Sequence, residues 1–320
     1  MLAAAAPPSA FRMADDVLIY SLNEHRELIF ECLDVVAPRR VVEIGSEAGG
    51  MSREMVTWAE EHESRFVTIE PYPIAEIREL DRTSDAFELV EGRSPEALER
   101  VDPADVYLVD GDHNHWTVLH ELRAIYAHGE PVTILHDVGW PCARRDQYYS
   151  VESLPPEAVH PHSFSGGRVP GQGELAEFGG FGGAGQFAVA LEEGGPRNGV
   201  LTAVEDFLAE REGLAYAHVP AVFGLGIVYS TSAPYAGRLG DLLAPLDRNP
   251  LLDRIERNRV KLYSALLGAQ HHRRSVDRSA NRVLLGYAER LAELEAENTS
   301  LRLERGKLRA AIDAAEASGG

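Results

Sequence analysis

Four short apolar runs constrain this chain more than any other feature: Val41-Val42-Glu43-Ile44, Phe66-Val67-Thr68-Ile69, Val106-Tyr107-Leu108-Val109 and Val132-Thr133-Ile134-Leu135. Each is rich in β-branched side chains and too short for a helix, which is how a strand buried on both faces reads. Between and around them lie stretches of helical character, Ser52 to Glu61, Ile74 to Leu80, Pro95 to Arg100 and Thr117 to His128, and a further helix is expected earlier, over Asp15 to Leu33. Strand and helix in alternation predict a doubly wound α/β sheet. Downstream, a helix at Val200 to Glu212 precedes two more apolar runs, Leu214 to Val219 and Phe223 to Tyr229. Their spacing predicts an antiparallel hairpin that closes the sheet.

Composition narrows the chemistry. Only two lysines occur, Lys261 and Lys307, both in the C-terminal quarter, so neither Schiff-base chemistry nor a P-loop belongs to the α/β part. Net charge is −20, but residues 251–320 hold 13 Lys/Arg against 10 Asp/Glu, which leaves 18 against 41, or −23, for residues 1–250. Such a body repels nucleic acid and anionic membranes. Cys32 and Cys142 are too few for a disulfide framework, and no 18-residue apolar stretch appears. The opening Met1 to Pro8 lacks a basic residue before its short apolar run, so no signal peptide is expected and the cytoplasm is the expected location.

The first run ends in Gly45-Ser46-Glu47-Ala48-Gly49-Gly50, where glycine lets backbone approach a ligand closely. Glu70 closes the second run, placed to accept hydrogen bonds from ribose hydroxyls, and Val90-Glu91-Gly92-Arg93-Ser94 precedes the next helical stretch. Gly45 and Gly49 have the spacing of the E/D-x-G-x-x-x-G loop of class I S-adenosylmethionine-dependent methyltransferases, and the chain resembles that superfamily from there to about Tyr229. It departs at Glu47, where many members have a glycine. A dinucleotide-binding G-x-G-x-x-G is not met, since the second glycine is missing at its place. The resemblance implies a Rossmann-like methyltransferase sheet whose cofactor, S-adenosylmethionine, contacts Glu43, Gly45, Ser46, Gly49, Glu70, Gly92, Arg93, Ser94 and Asp110.

Chemistry concentrates at two further strand ends, Asp110-Gly111-Asp112-His113-Asn114-His115-Trp116 and His136-Asp137-Val138-Gly139-Trp140. Carboxyl ends of adjacent strands in an open α/β sheet converge on one crevice, so Asp110 and Asp137 can share a hard cation such as Mg²⁺, with His136 either a third ligand or turned into the protein. The pair resembles the metal-dependent O-methyltransferases of the catechol, caffeoyl-CoA and macrocin or mycinose sugar types. The departures are His136 where sugar-type members have an acid and Val138 where catechol-type members have an amide. His113 is the expected general base, with Asp110 beside it in the catalytic pair. Asp112 is read as either a site acid or a helix cap, and His115 and His120 as packing residues of the following helix. Trp140 to Tyr149 and the glycine-rich segment are candidates for an acceptor pocket.

Residues 161–199 carry 12 glycines, too many and too long for a routine connection, and are read as a lid. Counting by sevens from Leu284 places Leu284, Leu291, Asn298, Arg305 and Ile312 at one seam position and Tyr287, Leu294, Leu301, Leu308 and Ala315 at the other. That pattern predicts a coiled coil, with Asn298 favouring a parallel dimer; an amphipathic helix folded onto the body competes with it. The expected divisions are a leader and N-terminal helix (1–30), a methyltransferase domain (31–235), a helical connector (236–280) and the coiled coil (281–318). The function expected is O-methyl transfer to a hydroxyl of a small molecule, a sugar of a glycan or glycosylated natural product. The alternative is a non-catalytic assembly protein organised by its coiled coil.

Overall fold

A computed structural model of the chain describes residues 22–177, 180–182 and 187–318, without the side chains at 271, 274–283, 288, 292 and 308–318. Five parallel strands, β1 (Arg40–Ile44), β2 (Arg65–Glu70), β3 (Phe87–Glu91), β4 (Val106–Val109) and β5 (Val132–His136), are joined by helices α1 (Arg26–Val36), α2 (Gly50–Glu61), α3 (Ala75–Thr83) and α4 (His115–Ile125). Three two- or three-residue strands follow, β6 (Gln147–Tyr148), β7 (His162–Ser163) and β8 (Ala188–Ala190). Helix α5 (Val200–Ala209) leads into the hairpin β9 (Leu214–Val219) and β10 (Leu225–Ser230), and α6 (Ala236–Leu243) and α7 (Pro250–Ser318) end the chain. The main sheet runs β3-β2-β1-β4-β5-β10-β9, with β10 antiparallel to both neighbours. This is the Rossmann-like sheet with a reversed terminal hairpin that the strand pattern predicts.

Alternate strand residues face opposite sides, so the sheet builds two apolar layers. Val41, Phe66, Leu108 and Ile134 pack with Ile29, Leu33, Met55 and Leu239 on one side, while Val42, Val67, Val109 and Leu135 pack with Leu122, Val204 and Phe207 on the other. Burial on both faces explains why the central strands read as unbroken apolar runs. The edge strand β3 is only partly covered and reads Phe-Glu-Leu-Val-Glu, which hid it from the pattern. Between Pro95 and Arg100, where a helix was expected, lies a 3-10 turn over Glu96–Arg100. Of the expected helix at Asp15 to Leu33, the part before Leu22 lies outside the described residues, and the rest is the 3-10 turn Leu22–His25 followed by α1.

The glycine-rich segment, where described, is built into the small sheet β6-β8-β7. Two buried arginines hold it: Arg145 donates to the carbonyls of Ala190 and Leu191 at 2.7 Å each and to that of Gly173, and Arg168 donates to Gln147 Oε1. Arg145 thus ties backbone in place and does not present its guanidinium to an acceptor pocket.

The chain divides into two compact units at Ala265 and Leu266. The first includes the start of α7, where Glu256 Oε1 accepts from the Phe223 N–H at 2.9 Å and Val260 is buried. In the second unit, Leu284, Tyr287, Leu291, Leu294 and Leu301 are exposed, and the side chains of Leu308, Ile312 and Ala315 lie outside the described residues. No helix among the described residues is long and apolar enough to cross a membrane.

Candidate functional site

The strand order reverses direction between β1 and β4, the place where an open α/β sheet leaves a crevice at its carboxyl edge. The chain leaves β1 through Gly45, whose φ is 86° and where a Cβ would meet the Asp110 carbonyl oxygen at 2.4 Å. Only glycine fits there without moving β4. The Gly45 N–H reaches Ile69 O and the Asp110 N–H reaches Ile44 O, both at 2.9 Å, so the turns after β1 and β4 are fixed to the sheet. Beside them lies a cavity of about 250 Å³.

Of the cofactor residues expected from sequence, Gly45, Glu70, Gly92, Arg93, Ser94 and Asp110 line this cavity, joined by Glu47, Trp116, Thr117 and Tyr149. Glu70 is fixed by backbone: its Oε2 accepts from Ser46 N–H at 2.9 Å and, more weakly, from Ser46 Oγ at 3.3 Å, and its Oε1 accepts from Tyr72 N–H at 2.9 Å. An open acceptor position on Oε1 remains, since a carboxylate offers about four. Ser46 and Gly49 stand behind the cavity, shaping the turn. Glu43, expected as a cofactor contact, instead lies buried beneath the loop, where its Oε2 accepts from Ser52 Oγ at 2.5 Å and Thr68 Oγ1 at 2.8 Å. Burial pushes its carboxyl up to about 7 against the pull of those two hydroxyls. It staples β1, β2 and α2 together.

Ser94 rests on a second buried acid. Its hydroxyl donates to Glu121 Oε1, and burial pushes the Glu121 carboxyl up to about 8, with the Ser94 bond opposing and Asp112 adding to the rise. The cap of α4 is Asn114, whose Oδ1 accepts from Thr117 N–H at 2.9 Å. Asp112 is no cap; its Oδ1 accepts from the N–H groups of His113 and Tyr149 at 3.0 and 3.3 Å.

The ends of β4 and β5 bring Asp110, His113, His136 and Asp137 together. His113 Nε2 lies 3.2 Å from Asp137 Oδ2, and the ligand atoms of Asp110, His113 and Asp137 all lie within 4.8 Å of one another. Asp137 takes a φ of 60°, a left-handed backbone that turns its side chain back over the strand end. His136 is engaged at both ring nitrogens: Nε2 faces the Val222 carbonyl at 2.9 Å, and Nδ1 faces Asp110 Oδ1 at 3.1 Å and Asp137 Oδ2 at 3.3 Å. All these partners are acceptors, so both nitrogens carry protons and His136 is an imidazolium. Burial alone would lower its pKa, but the two carboxylates outweigh it and hold it well above the ordinary value. So engaged, the ring braces the two acids, and the ligand atoms grouped closely enough to hold a cation are those of Asp110, His113 and Asp137. Burial likewise would raise Asp137, but His113, His136 and Arg168 overcome it and hold that carboxyl at about 2.

His25, which no sequence signal pointed to, sits against this imidazolium, ring centroids 5.8 Å apart, and is kept neutral at about 3 by burial and by His136. Partial burial, and then Asp110, hold the Glu47 carboxyl above its ordinary range, with His113 opposing and Asp137 and Glu70 adding to the rise. The Tyr149 ring meets His113 edge-on at 5.6 Å and Phe187 at 4.8 Å, an aromatic wall on the His113 side. His115 and His120 are engaged elsewhere, by Asp206 Oδ2 at 2.8 Å and by the Trp116 carbonyl at 2.7 Å.

Residues 42–138, from β1 to just past β5, match the family model described as a methyltransferase domain. No curated protein matches the chain. Among solved structures, the chain is similar to the S-adenosylhomocysteine-bound methyltransferase PaMTH1 of Podospora anserina, with 18% identity and a TM-score of 0.40 over 65% of this chain and 77% of that one. It is also similar to a Staphylococcus aureus protein assigned as a caffeoyl-CoA O-methyltransferase, with 14% identity and a TM-score of 0.40 over 64% of this chain and 81% of that one.

Proposed function

We propose that this chain, which carries a methyltransferase domain over residues 42–138, moves a methyl group from S-adenosylmethionine to a hydroxyl oxygen of a small molecule. The observation that carries the reading is one continuous edge. The glycine turn and Glu70 line a cavity that also takes in Asp110, and the His113–Asp137 pair stands at the next strand end. The cavity fits the cofactor: Gly45 leaves no side chain between it and the β4 turn, and Glu70 offers Oε1 to a ribose hydroxyl, the weak Ser46 Oγ bond being the one a second hydroxyl would displace. Bound there, S-adenosylmethionine supplies the methyl group, its carbon–sulfur bond breaking as the acceptor oxygen–carbon bond forms and sulfur keeping the electron pair.

The protein's work is to orient the acceptor oxygen and take its proton. His113 takes the proton, oriented by Asp137 at 3.2 Å, which also stabilises the ring once charged. The buried His136 imidazolium pairs with Asp110 at 3.1 Å and with Asp137 at 3.3 Å, and keeps Asp137 ionised. Tyr149 and Phe187 give the acceptor an apolar face to lie against, which suits the C–H face of a sugar ring in a glycan or glycosylated natural product. A divalent cation such as Mg²⁺ is favoured by one observation, the grouping of Asp110, His113 and Asp137 within 4.8 Å. With a cation bound, those three would hold it and His113 would be a ligand, the cation lowering the cost of the acceptor's proton by polarising its hydroxyl in place of the base. The exposed seam of Leu284, Tyr287, Leu291, Leu294 and Leu301 favours a parallel homodimer through a coiled coil at 281–318.

The test is calorimetry and a methyl-transfer assay on the full chain. Binding of S-adenosylmethionine and S-adenosylhomocysteine, with label transferred to a hydroxylated acceptor, is the expected result. Failure to bind either ligand would overturn the reading. Transfer undiminished in excess chelator would remove the cation and leave His113 as the sole aid to deprotonation.

A further inference from the structure

Two residues at this site take a left-handed backbone without being glycine: Asp137, which is paired with His113 and His136, and Glu47. The Glu47 φ is 42°, between Gly45 at 86° and Gly49 at 70°. A glycine adopts that conformation freely, whereas an L side chain rarely does. Strain of this kind persists where the side chain has a task that the surroundings hold it to. The Glu47 carboxylate accepts no hydrogen bond and joins no ion pair among the described residues, unlike Glu70, Asp110 and Asp137, which are each held by named partners.

Sheet order places Glu47 along the cavity. The strand ends run β3, β2, β1, β4, β5, so the lining runs from Ser94 through Glu70 to Glu47 and then to Asp110, and the His113–Asp137 pair stands past it on the β5 side. The cofactor of the methyl-transfer reading has the same order of parts: adenine, ribose, sulfur, and then the methyl group that meets the acceptor. Glu70 takes the ribose and His113 the acceptor, so the two acids between them, Glu47 and Asp110, stand at the sulfur, and of these Asp110 is already paired with His136 at 3.1 Å. Before transfer that sulfur is a sulfonium with a full positive charge; afterwards it is a neutral thioether. The amino and carboxyl groups of the methionyl part are unchanged.

Resting on that reading, we propose that Glu47 is a specificity-determining residue that faces the sulfonium charge, so that the site holds the methyl donor in preference to the spent thioether. Its consequence is weaker product inhibition than a glycine at the same position would give.

The experiment is calorimetric titration of the full chain with S-adenosylmethionine and, separately, S-adenosylhomocysteine, at pH 8 and low salt, for wild type, Glu47→Gly and Glu47→Gln. Glycine suits the backbone at this position and glutamine keeps the shape, so one variant or the other preserves the fold. Affinity for the charged donor should fall about three- to fivefold in both variants, the range of a solvent-screened ion pair. Affinity for the thioether should stay within about twofold, and the preference should shrink as salt is added. Equal weakening of both ligands, or no weakening of either, would overturn the proposal. Wild-type protein that binds neither ligand would instead overturn the methyl-transfer reading, a separate result.

Discussion

The two halves of the sheet's carboxyl edge hold their acids by different means. After β1 and β2, Glu70 is gripped by the backbone N–H groups of Ser46 and Tyr72. After β4 and β5, Asp110 and Asp137 are gripped by imidazoles, His136 on one side and His113 on the other. A peptide N–H keeps its proton at every relevant pH, while a neutral imidazole has a ring nitrogen free to take one. One half is thus suited to fixing where a ligand sits, and the other to moving a proton.

The sharpest way to break that division is at His113. His113→Ala should reduce methyl transfer about 10²–10⁴-fold in a single-turnover assay while donor affinity stays near that of wild type. A parallel loss of affinity would show that the two halves act as one. Next in size, Glu70→Ala removes charge-assisted hydrogen bonds worth roughly 1.5–3 kcal/mol, so donor affinity by calorimetry should drop about 10- to 150-fold. The pH profile of the remaining transfer should not move.

The smallest effect probes a titrating group hidden in the binding half. Glu121 titrates at about 8 in the folded chain against an ordinary 4.5, because burial opposes its charge. The native state therefore binds more protons than the unfolded state between those values, and this contribution to stability is complete below about pH 4.5 and lost as pH rises to about 8. Glu121→Gln, neutral throughout, should flatten the dependence, leaving pH 5 stability near wild type and making the fall in stability between pH 5 and pH 8 shallower in thermal or urea unfolding. A changed pH dependence of donor binding in this variant would mean that the binding half also has a proton switch.

What was legible in the sequence follows burial. Strands covered on both faces, such as Val41–Ile44 and Val132–Leu135, declare themselves, and the residues just past their ends fall on one crevice. The half-covered strand Phe87–Glu91 does not, because its two glutamates break the apolar run. Site chemistry was read less completely, since residue type does not give direction. Glu43 points under the loop and His136 into a pair of carboxylates with a carbonyl behind it, and nothing in the order of residues says so. His25 is out of reach of any local pattern, being 111 positions from the imidazole it touches. The anchors of the glycine-rich stretch, Arg145 and Arg168, act across the fold, so no local pattern announces them.

The tight contact at Gly45 has a further consequence. With 2.4 Å between a Cβ there and the Asp110 carbonyl, the turns after β1 and β4, which the proposed function gives to donor and acceptor, are two sides of a single wall one backbone thick. An engineer who reshapes the Asp110 turn to admit a bulkier acceptor also moves the surface against which the donor lies. Acceptor range is therefore easier to widen from the far side, through Tyr149 and Phe187, where the partition is made of side chains and can be thinned one ring at a time.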